Sequence, residues 1–436
     1  MKTLSIIAAL TVAAALHAQD ETPAAAPEAA PAAPAAQEAP AADSPAKAPA
    51  KAAPPKPFTL GRSGARPGKS PYATDTQLDH PPRVYVIPME GLMGLDIHQF
   101  VYDRILKDFD EKKPDLVVFE LKSSNHGEKE TWMEAAGNEM DEDKVDPRRL
   151  ASVVTEYRDM AANLRERLGG VPCVMYVRDA RGVSCVYALA WPYMFISPDG
   201  KIAGLDVVTE LAGGNDDDIR AKMLSAWTGI AKGILELGGH PQPLTDALVR
   251  PDRFLSADID GRATKWFPDT VAERWIVVDS SKDAAARFPA SLAEETGLAE
   301  GTAQDIPDLL GLLGYPEFEM VDSGQKIFRD TNAQWRKRFA ESKKWMKDFQ
   351  EPMDGPEDLG KRKAIIEKML QNFKSSPQFA RMWEWTRGLD ETRLKSLLEE
   401  LTEQIKANQK QRSGGGRRSG SGSGGGGGGP GGPMGR

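Results

Sequence analysis

Cysteine and histidine are scarce in this chain of 436 residues. It holds two cysteines, Cys173 and Cys185, and five histidines. None of them stands in CxxC or HExxH spacing, so no metal site is implied, and nothing suggests a cofactor. The two cysteines sit in an apolar run and beside a turn, where they read as inert buried thiols. Long hydrophobic runs are also missing. After residue 18 no apolar stretch approaches the length of a membrane helix, and the mature chain is expected to be soluble. An excess of positive charge is missing too: the formal net charge is −8, which argues against a nucleic-acid partner.

The two ends have compositions of their own. Residues 1–18, MKTLSIIAALTVAAALHA, carry Lys2, an apolar run from Leu4 to Leu16 and Ala18 before Gln19. That pattern predicts a secretory signal cut after Ala18, hence an exported protein, periplasmic or extracellular. Left uncleaved, the same run would keep the chain close to a membrane. Residues 19–80 form an Ala/Pro-rich segment with too few large apolar side chains to offset the entropy of ordering, and are expected to act as a disordered linker. Residues 411–436, ending SGSGGGGGGPGGPMGR, are expected to be disordered for the same reason.

Between these ends, strand-like and helix-like patterns alternate. RVYVIP (83–88) is a short apolar strand followed by the glycine-marked loop MEGLMG. Ile97, Val101, Ile105, Leu106 and Phe109 recur at helical spacing. DLVVFEL (115–121) reads as a strand buried on both faces. Residues 147–168 form a helix closed by Gly169 and Gly170. PCVMYV and YMFIS read as further strands, and residues 219–237 as a long helix stopped by Gly238 and Gly239. WIVVDS, SLAEETGLAEG and DIPDLLGLLG complete the domain. Alternation of this kind predicts an α/β fold with parallel strands and right-handed crossovers over residues 82–320.

Residues 326–410 change in character. Trp335, Phe339, Met346 and Phe349 follow helical spacing among many charges, as do Ile365, Ile366, Met369, Leu370 and Phe373, and then Leu394 to Ile405. PMDGP and KSSPQ separate these runs. A helical appendage is expected, its aromatic stripe serving core packing rather than partner recognition.

Residues 181–190, RGVSCVYALA, place a lone serine, Ser184, at a strand–turn–helix junction. A serine hydrolase needs an activated nucleophile, a base and backbone N–H donors for the oxyanion. No histidine lies near this turn, so the base would be a desolvated lysine.

The order of elements resembles the ClpP/crotonase fold, and within it the Ser–Lys peptidases of the NfeD and signal-peptide-peptidase (SppA-like) type. RVYVIPMEGLMG is similar to that family's opening strand and glycine loop. DLVVFELKSSNHG stands where the family has an apolar strand and an oxyanion loop. ALAWPYMFISPDGKIAG, the helix KMLSAWTGIAKGILELGGH and the closing SLAEETGLAEGTAQDIPDLLGLLG follow in the family's order, so the likeness spans residues 82–315. The resemblance implies a ClpP/crotonase-like repeated ββα-type core with mainly parallel strands, to which the residue patterns above add a C-terminal all-α appendage and disordered termini. It also implies a peptide or protein substrate or partner, and homo-oligomers.

Carried over residue by residue, the same resemblance puts Gly182 at the nucleophile position and Ser184 two residues later. Asn125, His126 and Gly127 fall on the oxyanion loop. The lysine column falls on Ala231, one residue before Lys232, with Lys222 nearer the start of that helix. Two readings follow. In one, Ser184 is the nucleophile and Lys222 or Lys232 the base of a serine endopeptidase cleaving membrane-associated or unfolded polypeptides. In the other, favoured by departures at both the nucleophile and the oxyanion loop, the active site is degenerate and the scaffold binds peptide or protein partners. A crotonase-like acyl-CoA enzyme fits badly, because export removes the chain from CoA.

Overall fold

In the computed structural model the described residues are 80–123, 147–204, 217–250, 252–260, 263–270, 272, 275–279, 284–351 and 356–415. All of them except Gln350 and Glu351 belong to one unit of the chain. The expected leader, the linker, residues 416–436 and the loop holding Asn125, His126 and Gly127 lie outside the described residues.

The central sheet uses strands β1 (Arg83–Glu90), β2 (Leu116–Ser123), β3 (Cys173–Arg181), β4 (Met194–Ile196), β10 (Gly301–Thr302) and β11 (Glu319–Val321). Their order is β10-β4-β3-β2-β1-β11, and every neighbouring pair is parallel. Parallel strands need crossovers, and helices α1 (Gln99–Lys112), α2 (Pro147–Arg167) and α3 (Val183–Ala188) supply the first of them. The architecture is the expected α/β class, with a mainly parallel sheet and helices at its C-terminal end. Among the described residues no helix is long and apolar enough to cross a membrane.

The strands read as continuous apolar runs because both faces are covered. On one face Val84, Val86, Leu116, Val118, Val174 and Tyr176 pack under Ile306, Leu309, Leu310 and Leu313. The last four belong to or follow α7 (Ile306–Leu312), whose N-cap Asp305 accepts a bond from the Asp308 N–H. The Tyr176 hydroxyl donates to the Gln304 carbonyl at 2.9 Å, tying the sheet to that helix's approach. On the opposite face Tyr85 meets Phe109 of α1 edge-on at 5.8 Å, and Phe119 meets Trp191 at 4.5 Å.

β3 bends away from the main sheet. Its first half pairs with β4, while Ala180 and Arg181 pair with Ile202 and Ala203 of β5 (Lys201–Ala203), which also pairs with β9 (Arg287–Pro289). The bend is a bulge: Leu121 faces Val177 but Lys122 faces Asp179, so Arg178 is the extra residue. Helices α4 (Asp217–Gly238), α5 (Gln242–Val249) and α6 (Ala290–Glu295) follow.

The structure adds two features to the sequence-based reading. β6 (Leu255–Asp260) and β7 (Ala263–Pro268) form a hairpin that pairs antiparallel with β8 (Ile276–Asp279), so WIVVDS belongs to a separate three-stranded sheet. Among the described residues the C-terminal end has four helices: α8 (Ser323–Gln350), α9 (Pro356–Ser375), α10 (Pro377–Arg387) and α11 (Glu391–Gly415). KSSPQ joins two of them: Lys374 and Ser375 end α9, Ser376 is the N-cap of α10 with Pro377 in its first turn, and Gly388 is its left-handed C-cap. Trp335, Phe339, Met346 and Phe349 are buried, so the aromatic stripe does pack a core. Phe339 meets Trp383 edge-on at 5.5 Å, and the Trp383 indole N–H donates to Ser342 Oγ at 2.9 Å.

Candidate active site

Parallel α/β sheets present their functional loops at the carboxyl ends of the strands. Here that edge carries the loop after β1, the end of β2 at Ser123, and the turn from β3 into α3. The turn is made by Gly182, the N-cap of α3, at φ 69° and ψ −135°. Only glycine adopts this conformation without strain, because a Cβ would crowd the backbone. The Gly182 N–H donates to the Ala203 carbonyl at 3.1 Å, which fixes the elbow against β5. The residue placed by resemblance at the nucleophile position therefore sits at a strand–turn–helix apex and carries no side chain.

Ser184 is the second residue of the same six-residue helix and is fully buried. Its hydroxyl points back into the protein and donates to the backbone carbonyls of Ser123 and Arg181, the latter at 2.8 Å. The side chain thus joins the end of β2 to the end of β3. It holds the carbonyl of Ser123, the last described residue before Asn125, His126 and Gly127. Cys185 beside it is also buried, and burial pushes its thiol well above the ordinary range. Burial pushes Cys173 up to about 12, so neither thiol is a nucleophile at neutral pH.

The two candidate lysines lie on α4. Lys232 is engaged with Asp246 of α5 at 2.9 Å, both groups being about 30 % exposed. Lys222 is exposed, ten residues earlier on the helix. Neither ammonium is hydrogen-bonded to Ser184 among the described residues. What α4 does contribute is its C-terminal end, where His240 Nε2 lies 3.3 Å from the Trp191 carbonyl beyond α3. Arg165 of α2 donates to the neighbouring Ala190 carbonyl at 2.8 Å. The segment after α3 is thereby held from α2 and from the end of α4. Among the described residues no group of three His, Cys, Asp or Glu side chains converges to hold a metal.

The sequence reading missed what lies over this edge of the sheet. Asp96, in the loop after β1, is 1 % exposed and accepts from the Leu92 N–H at 3.0 Å. Arg336 of α8 forks onto the same carboxylate at 3.2 and 2.7 Å, and Asn332 donates to the Asp96 carbonyl at 3.3 Å. Arg381 of α10 donates to the Gly94 carbonyl at 2.8 Å and grips both oxygens of Glu156 on α2. Gly324 at the start of α8 packs on β1, where a Cβ would come within 2.7 Å of the Tyr85 ring. The C-terminal helices are thus docked onto the β1 loop through contacts separated by more than 200 residues in sequence.

No protein-family model matches this chain, and no curated protein is similar to it. Among solved structures, a mutant of the 1510-N membrane-bound stomatin-specific protease in complex with a substrate peptide is 13 % identical, with a TM-score of 0.34, over 55 % of this chain and 91 % of that one. The 1510-N membrane protease specific for a stomatin homolog from Pyrococcus horikoshii is 12 % identical, with a TM-score of 0.31, over 56 % and 92 %. Likeness at this level concerns the fold alone.

Proposed function

We propose that this protein is an exported, catalytically degenerate relative of Ser–Lys peptidases that binds peptide or unfolded polypeptide segments without cleaving them. The observation that carries this reading is the elbow itself. Its apex is Gly182, while the next hydroxyl along the chain, that of Ser184, is buried and faces two backbone carbonyls. A nucleophile must present its oxygen to substrate and pass its proton to a base. Ser184 presents its oxygen to the backbone, and Lys232 is engaged with Asp246. The carboxyl edge of the sheet, with Gly91, Gly94 and Gly182 in its turns, is where an extended ligand would lie.

A fluorophosphonate probe and an unfolded protein substrate test this directly. The purified chain should show neither labelling nor cleavage. Labelling that disappears in Ser184→Ala would reinstate the peptidase. In the same preparation, immobilised apolar peptides should retain the protein, and Gly182→Trp should abolish retention while urea unfolding still shows a cooperative transition. Failure of the wild-type protein to bind any such peptide would remove the binding function.

A further inference from the structure

The charge of this chain is unevenly divided. Residues 80–322 hold 43 Asp and Glu against 26 Lys and Arg, a net −17. Residues 323–436 hold 14 against 23, a net +9. The excess concentrates on α8, whose 28 residues include eight cations and three carboxylates. At 100° per residue, Lys326, Lys337 and Lys344 fall within about 20° of one line, with Arg329 and Lys347 about 60° to one side. All five are exposed, and Ala333 and Ala340 fill the gaps between them. The row runs for about 30 Å along the helix. No carboxylate among the described residues pairs with any of the five. Asp330, Glu341 and Asp348 lie together along the other border, so the positive face is an arc of roughly 100°.

We propose that this face of α8 docks the protein on an anionic lipid surface. Of the bulky apolar residues of the helix, Phe328, Trp335, Phe339, Met346 and Phe349 are buried, and the half-buried Ile327 and Trp345 lie about 100° round from the row, beyond its acidic border. The stripe therefore has nothing to insert among acyl chains, and its attraction is to headgroups alone. A plane touches a helix along just such a narrow arc. A duplex enclosing the helix in a groove would meet the bordering carboxylates, and the stripe has no aromatic ring on which single-stranded bases could stack. A second copy is a poor fit because many carboxylates of the acidic body are already paired, as in Arg167–Asp110, Arg178–Glu120 and Lys122–Glu90. The net −17 body is repelled by a surface of its own sign, which leaves α8 as the side that approaches.

The test uses the full chain and vesicles of phosphatidylcholine with about one-third phosphatidylglycerol, a composition that gives the strong negative surface potential this attraction needs. The protein should co-float with these vesicles at low salt, be released at roughly 0.5 M salt, and ignore pure phosphatidylcholine. Each cation near such a surface contributes about fivefold in affinity. Lys337→Gln/Lys344→Gln/Lys347→Gln should therefore bind on the order of 100-fold more weakly. The set Arg167→Gln/Lys201→Gln/Arg250→Gln, which removes the same charge from α2, β5 and the end of α5, should bind like wild type. No flotation of the wild-type protein, or an equal loss in both sets, would overturn the proposal. So would tighter binding of duplex DNA with the same dependence on the stripe, or salt-sensitive self-association without vesicles that the stripe variant abolishes.

Discussion

The guanidinium of Arg336 on α8 forks onto the carboxylate of Asp96, a side chain 1 % exposed in the loop after β1. This ion pair ties the C-terminal helices to the edge of the sheet where the candidate site lies. Its two halves are unequal, since Arg336 is 59 % exposed. Removing the arginine strands a buried carboxylate that keeps only the Leu92 N–H, whereas removing the carboxylate leaves an arginine that solvent can accommodate. Arg336→Ala should destabilise by about 2–3 kcal/mol, Asp96→Asn by less, and the double variant by less than the sum. Urea unfolding of the cycle measures the coupling, and strictly additive effects would mean that the pair holds nothing together.

At Gly182 the prediction concerns backbone strain. With φ at 69° and ψ at −135°, any Cβ is forced against its own backbone. Gly182→Ala should cost on the order of 1–3 kcal/mol. Gly182→Ser should cost a similar amount while lifting a hydroxyl to the apex of the elbow. Without a lysine poised on that hydroxyl, Gly182→Ser should gain no fluorophosphonate labelling. Labelling of this variant would show that only the nucleophile had been lost.

Ser184→Ala distinguishes a structural hydroxyl from a catalytic one. The hydroxyl serves the Ser123 and Arg181 carbonyls in a fully buried position. Its loss should lower stability by about 1–2 kcal/mol and raise hydrogen exchange at the ends of β2 and β3. A catalytic serine would instead be replaceable with little effect on unfolding.

The α/β core was readable because its signals are local. DLVVFEL is apolar throughout since both faces of β2 are covered, and the spacing from Val101 to Phe109 matches the buried side of α1. The β6–β7 hairpin escaped notice because its strands carry Asp258, Asp260 and Lys265 on an exposed surface, where alternation is weak. α10 escaped because Ser376 and Pro377 punctuate a chain equally well as a break or as a helix start. Gly182 was legible as a departure at the nucleophile position, but only the backbone explains why glycine suits the turn. Asp96 and Arg336 are 240 residues apart, and nothing in either neighbourhood announces the other. Pairings of that kind arise from the topology, which no short stretch of sequence encodes.

Stability should depend on pH through two histidines, the half-buried His98 and the buried His240. His98 caps α1 by accepting the Phe100 N–H at 3.0 Å on Nδ1, which requires the neutral ring. Burial, reinforced by the charge of Arg381, lowers its pKa from 6.5 to about 3. Burial lowers His240 to about 4, against the opposing effect of its bond with the Trp191 carbonyl. In the unfolded chain both rings take up a proton near pH 6.5. Their contribution is therefore complete above that pH and falls as the pH drops toward 4, by about 1.4 kcal/mol per pH unit for each ring. Glu300 works in the opposite sense, because burial raises it from 4.5 to about 7. Its neutral form is favoured in the folded state, so its contribution is full below pH 4.5 and is lost as the pH rises through 7. Glu300→Gln should accordingly stabilise the protein at pH 8, by on the order of 1 kcal/mol for a side chain partly open to solvent, and leave it unchanged at pH 4. His98→Asn keeps a capping acceptor that does not titrate and should flatten the decline between pH 6 and pH 4. Urea unfolding across pH 4 to 8 measures all three slopes, and an unchanged slope in His98→Asn would mean that this ring takes up its proton in the folded protein.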